Sequence, residues 1–215
     1  MGNIFYLIYI LIYIFLIIYS CRLTANKDLQ YKLYLIILFT LFYDSFISGI
    51  GFLAGESQFL KSLNFFRYAF HVFISPLLCY IVFKISQKMG VKIAQRKGAE
   101  IAVWLLVIIF IIWGFLHDLA SLNLTPSVAW GVLIYGHAEP SIPLPIIFIN
   151  IFVIINSILI WKSTGWPVLF ITSLAMFFIG MIQIKELGQL PGNAGEILFI
   201  YGFLLAQKKL LDLDD

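Results

Sequence analysis

A chain of 215 residues that is 62% hydrophobic and only 12% charged cannot cover a soluble surface of its size, which excludes an ordinary water-soluble domain. Its net charge of +3 is small, and no Lys/Arg block interleaved with aromatics stands outside the apolar runs, so nucleic acid is not an expected partner. Apolar runs of about 18 residues or more read as membrane spans. They recur here with short polar breaks, which predicts one integral membrane domain over residues 1–215, an all-α polytopic transmembrane bundle. Seven spans are predicted, at approximately 4–20, 33–54, 65–86, 99–120, 142–161, 166–184 and 191–209.

The first span ends in Ile18-Tyr19-Ser20-Cys21, which has the look of a lipoprotein cleavage box. No Lys or Arg precedes the run, and Arg22, Lys27 and Lys32 follow it, so a retained helix is expected. In the second span Asp44, Ser48, Gly51 and Gly55 recur at helical spacing on one face. The small residues there predict close approach of another helix. The third span carries Asn64, Arg67, His71 and Ser75 as a single polar stripe on an otherwise aromatic and aliphatic helix.

The fourth span is apolar until Gly114, His117 and Asp118 near its outer end. Segment 121–141 has no Lys or Arg, and within it Val128–Gly136 is apolar but too short to span. That piece is expected to be re-entrant or to lie along the interface over the outer mouth. Glu139-Pro140-Ser141-Ile142-Pro143-Leu144-Pro145 cannot begin as regular helix. Asn123-Leu124-Thr125 is a glycosylation triplet spoiled by Pro126. Ser163-Thr164-Gly165-Trp166-Pro167 breaks the chain before the sixth span, and Leu190-Pro191-Gly192-Asn193 before the seventh, which opens with Asn193 and Glu196. The many Phe and Tyr residues are expected to be mostly lipid-facing or interfacial.

Eleven of the fourteen basic residues follow spans 1, 3, 5 and 7; Lys61, Arg67 and Lys185 lie on the other side. The positive-inside rule then places the N-terminus outside and the C-terminus in the cytoplasm. An even number of spans would move Lys208 and Lys209 across and weaken the bias. Cys21 and Cys79 show no motif spacing, so neither a disulfide nor a zinc knot is expected.

Ionisable groups inside spans are costly and usually face a bundle interior or water. Arg67, His71, His117, Asp118 and Glu196 all fall in the outer half although their helices run in both directions. Asp44 lies roughly 15 Å down, with Glu56, His137 and Glu139 at the rim. These groups outline an outward-facing funnel for a membrane lipid, a lipid-like ligand or a small molecule. The candidate site is Asp44, Arg67, His71, His117, Asp118 and Glu196.

Four chemistries suit such a funnel. A metal-dependent lipid hydrolase would bind zinc through His71, His117 and Asp118, with Asp44 or Glu196 as further carboxylates and Arg67 on a lipid phosphate. No HExxH or HxxxH spacing accompanies these residues. In helix count alone the chain is similar to the seven-helix hydrolases of the alkaline ceramidase and adiponectin receptor kind, whose last helix carries histidines that span 7 here does not. A transporter would use Asp44 as a titrating group and His71 as relay, though few polar residues line the cytoplasmic halves. Haem held axially by His71 and His117 is a weaker alternative. A scaffold whose polar groups only specify helix packing explains everything except the one-sidedness.

Overall fold

The computed structural model describes residues 2–23, 28–139, 142–182, 184 and 186–214. Expectations resting on Lys27, Pro140, Ser141 and Lys185 lie outside these. Among the described residues five helices are long and apolar enough to cross a membrane. They are α1 (Gly2–Leu23), α2 (Leu29–Ala54), α3 (Gln58–Lys88), α4 (Ala99–Leu119) and α5 (Leu144–Thr164). A sixth, α6 (Val168–Gly180), is apolar but short, and α7 (Leu190–Asp214) is long but carries Asn193, Glu196, Gln207, Lys208 and Lys209.

α3 starts about two turns earlier than its apolar run suggests. Ser57 caps it, its Oγ accepting from the Leu60 N–H at 3.2 Å, so the polar first turns are helical after all. The helix bends at Ser75-Pro76. Pro76 has no N–H to give the Val72 carbonyl, yet Ser75 and Pro76 both keep right-handed helical backbone, so the chain kinks rather than stops. The last turn of α4 widens to a π-turn over Phe115–Leu119, with Ala120 N–H donating to the Phe115 carbonyl at 2.8 Å.

The described part of segment 121–141, expected to be re-entrant or to lie along the interface, has a regular structure of its own. It forms a β-hairpin, β1 (Leu124–Ala129) against β2 (Val132–His137), antiparallel, with Ala129 opposite Val132 and Leu124 opposite His137. The connecting Trp130-Gly131 has φ of 49° and 79°, positive at both positions, which suits the twist of a two-residue hairpin turn. Val, Ile, Thr and Tyr in these strands favour an extended backbone, a signal that apolar run length alone hides. The hairpin rests on the helix ends: Gly2 N–H donates to the Trp130 carbonyl at 3.0 Å, and His137 N–H to the Tyr68 hydroxyl at 3.2 Å.

Gly51 belongs to this contact. A Cβ there would sit 1.8 Å from the Leu133 carbonyl oxygen, so what approaches this face of α2 is a strand and not a helix. Gly55 faces open space and instead ends α2 with φ of 61°, its N–H bonding the Gly51 carbonyl. The close helix–helix approach lies elsewhere. A Cβ on Gly202 of α7 would meet Thr172 Oγ1 of α6 at 1.9 Å.

The interior is built around α3, of whose apolar window 67% is buried, against 22% for α1 and α4. Leu38, Ile81, Val82, Ile85, Val153, Ile160 and Phe203 form its centre. Phe15, Phe39, Phe66 and Phe178 face outward, but Tyr6, Tyr13, Tyr31 and Tyr34 are among the largest fully buried side chains, which corrects the expectation for the tyrosines. A buried tyrosine is tolerable where its hydroxyl finds a partner: Tyr34 donates to the Ile200 carbonyl at 3.0 Å, tying α2 to α7.

Candidate functional site

The i, i+3, i+7 spacing of Asn64, Arg67 and His71 sets them along one face of α3. That face turns inward: Asn64 is fully buried and Arg67 is 5% exposed. Asp44 of α2 is 2% exposed and meets two donors and an imidazole. Arg67 Nε donates to its Oδ1 at 2.7 Å, His71 Nε2 lies 3.5 Å from the same oxygen, and Asn193 Nδ2 donates to Oδ2 at 2.5 Å. The rest of the guanidinium is also occupied. Nη1 donates to Asn64 Oδ1 at 2.8 Å and Nη2 to Gln189 Oε1 at 2.5 Å.

The network extends outward from this pair. Asn64 Nδ2 donates to the Leu60 carbonyl, fixing which end of its amide faces Arg67. Tyr6 of α1 donates to Asn193 Oδ1 at 3.3 Å, and Asn193 Nδ2 also lies 3.5 Å from Glu196 Oε2. A buried ion pair is tolerable only where its remaining hydrogen-bond positions are filled, because desolvation costs several kcal/mol per ion. Asp44 and Arg67 meet that condition. The result is a neutral knot joining α1, α2, α3 and α7.

Gln189 is exposed, although the guanidinium it caps is buried. Nothing in the sequence marks it: it is a neutral residue between two helices, outside any stripe. Tyr6 is hidden in the same way within an apolar helix. Beside Gln189 runs a shallow apolar groove of about 280 Å³ lined by Phe5, Tyr9, Trp130, Leu187, Leu190 and Pro191. Between His71 and Glu196, on the side of the network away from Gln189, lies a smaller cavity of about 40 Å³. Its polar lining is Thr40, His71, Ser75, Asn150 and Glu196, the rest being aliphatic or Phe199 and Met176.

Not every expected residue joins. His117 Nδ1 lies 2.8 Å from Asp118 Oδ1, a separate pair on the π-turn of α4. Among the described residues no group of three or more His, Cys, Asp and Glu side chains could hold a metal ion. The structure does not bring the expected zinc set His71, His117 and Asp118 together. His71 turns to Asp44 while His117 and Asp118 turn to each other, because each imidazole is satisfied by the carboxylate nearest it. A haem between the two histidines would require both pairs to break. At the rim, His137 Nδ1 accepts from the Glu139 N–H at 3.0 Å, a local turn bond. Cys21 is exposed and Cys79 buried, both as free thiols.

Comparison with protein-family models, with curated proteins and with solved structures gives no match. Several helices compatible with membrane insertion are thus the extent of the classification, and function is argued from the site.

Proposed function

We propose that this is a multi-pass integral membrane protein of seven crossings, with the start of α1 outside and the end of α7 in the cytoplasm. Its Asp44–Arg67 centre is an outward-opening site for an anionic ligand, a lipid phosphate or a small free anion. The topology rests on the eleven-to-three division of basic residues. A crossing by α6 leaves roughly 10 Å of hydrocarbon for flanking residues or local thinning to make up.

The observation that carries the ligand reading is the cap on Arg67. Its Nη2 meets Gln189, an exposed neutral amide that can swing away without unfolding a helix. A phosphate or carboxylate oxygen in that position keeps the hydrogen bond and adds charge, and the guanidinium fork suits such oxygens. The neighbouring groove of aromatic and aliphatic side chains offers an apolar seat for an acyl chain. His71 and Asn193 can hold Asp44 while Arg67 turns outward.

A second reading, a centre that only fixes helix packing, is favoured by the filling of both Asp44 oxygens. Native mass spectrometry of detergent-purified protein separates the two. Phosphatidylglycerol, phosphatidylcholine and inorganic phosphate would be titrated against the wild type and the neutral double variant Asp44→Asn/Arg67→Gln. The ligand reading expects phosphatidylglycerol or inorganic phosphate to bind the wild type at least about tenfold tighter than the double variant. Equal binding, or no preference over phosphatidylcholine and no phosphate adduct, favours the packing centre.

A further inference from the structure

The 40 Å³ cavity between His71 and Glu196 has walls from α2, α3, α5, α6 and α7. That volume takes about one to three water-sized particles. Its polar lining is unusual in sign. Thr40 already donates its hydroxyl hydrogen to the Ile36 carbonyl at 3.0 Å, and Asn150 donates its amide to the Ile146 carbonyl at 3.0 Å. Each side chain has spent a donor on its own helix and has oxygen lone pairs left.

Asn150 is 9% exposed, and its Oδ1 is a buried acceptor with no hydrogen-bond partner. Leaving such an atom bare is costly, so it requires an explanation. Glu196 adds a carboxylate that Asn193 Nδ2 reaches only at the long distance of 3.5 Å. Ser75 adds a hydroxyl at the Pro76 kink of α3. A cavity rich in oxygen acceptors and poor in donors repels anions and suits a hard cation.

We propose that this cavity binds one sodium-sized monovalent cation through the Glu196 carboxylate, the Asn150 amide oxygen and the Thr40 and Ser75 hydroxyls. The site needs no assumption about what Arg67 binds. One carboxylate among neutral oxygens matches a single positive charge. The charged and titratable groups that act on Glu196 are His71, Asp44 and Arg67, the last two already paired, with the Tyr6 and Tyr13 phenols of α1 on the same carboxylate. His71 also lines the cavity, so protonating it opposes the cation and makes binding weaker in acid. Helices from five parts of the chain converge here, so occupancy would stabilise the bundle as a whole.

Thermal unfolding of purified protein in sodium, potassium and choline chloride at equal ionic strength tests this, together with equilibrium binding of radioactive sodium. Expected are about one sodium per chain and a saturable rise in Tm of roughly 5–10 °C at a 100-fold excess over Kd, absent in choline. Asn150→Leu and Glu196→Gln, checked for monodispersity, would each lower sodium affinity at least about tenfold. The wild-type binding assay stands even if a variant fails to fold. Absence of bound sodium, or a Tm indifferent to the cation, overturns the proposal. A Tm that follows pH but not sodium also overturns it and leaves a site for protons and water.

Discussion

Gln189, exposed on the surface, accepts a hydrogen bond at 2.5 Å from the Nη2 of Arg67, which is 5% exposed. A single neutral side chain thus stands between a buried guanidinium and the outside. Gln189→Ala should cost about 1–3 kcal/mol of stability, the range for a hydrogen bond to a charged group. It should leave anionic-lipid binding intact or tighter, since the cap is a competitor. Chemical denaturation and native mass spectrometry measure the two effects. A variant that loses lipid binding outright would make Gln189 part of the site and not its cover.

The Asp44–Arg67 pair yields a second prediction. Asp44→Ala leaves an uncompensated buried guanidinium and should destabilise by about 3–5 kcal/mol. Asp44→Asn/Arg67→Gln removes both charges and should cost clearly less than the sum of its single changes. Equilibrium unfolding of the wild type, Asp44→Asn, Arg67→Gln and the double variant closes the cycle. Additive losses would mean that the two side chains, 2.7 Å apart, do not act as a unit.

Close packing supplies a third. Gly51→Ala places a Cβ 1.8 Å from the Leu133 carbonyl oxygen, against backbone that cannot rotate away. We expect a loss of about 1–3 kcal/mol and faster amide exchange across residues 124–137. Gly136→Ala, with nothing within 4 Å of its Cβ, is the neutral comparison. Equal behaviour of the two would argue that the hairpin is not seated on α2.

Orientation can be read from the native thiols. Cys21, exposed at the end of α1, should react with a membrane-impermeant maleimide in inverted vesicles and not in intact cells, and buried Cys79 should stay unlabelled in both. Labelling of Cys21 from outside would reverse the proposed topology.

The polar stripe of α3 was legible because helical spacing leaves a one-dimensional signature: Asn64, Arg67, His71 and Ser75 could share a face only in a helix. Its partners were not. Any carboxylate at similar depth could have met Arg67, and the chain offers Asp44, Asp118 and Glu196. His117 was grouped with His71 on depth alone. Depth leaves azimuth unspecified, and α4 turns His117 toward Asp118 instead. The hairpin is hidden for another reason: the length of an apolar run says only that it cannot span, while its extended-backbone preference lies in its β-branched and aromatic residues.

What the sequence by itself determined is a set of helices apolar enough to cross a membrane and the inward-facing stripe. Both follow from local quantities, the hydropathy of consecutive residues and the 3.6-residue turn. Only the tertiary structure decided that Asp44 takes Arg67, His71 and Asn193, that Gln189 caps the guanidinium, and that polar side chains from four helices line one cavity. These depend on how helices rotate against one another. That rotation is set by close contacts such as Gly51 with Leu133 and Gly202 with Thr172, whose partners lie far apart in the chain.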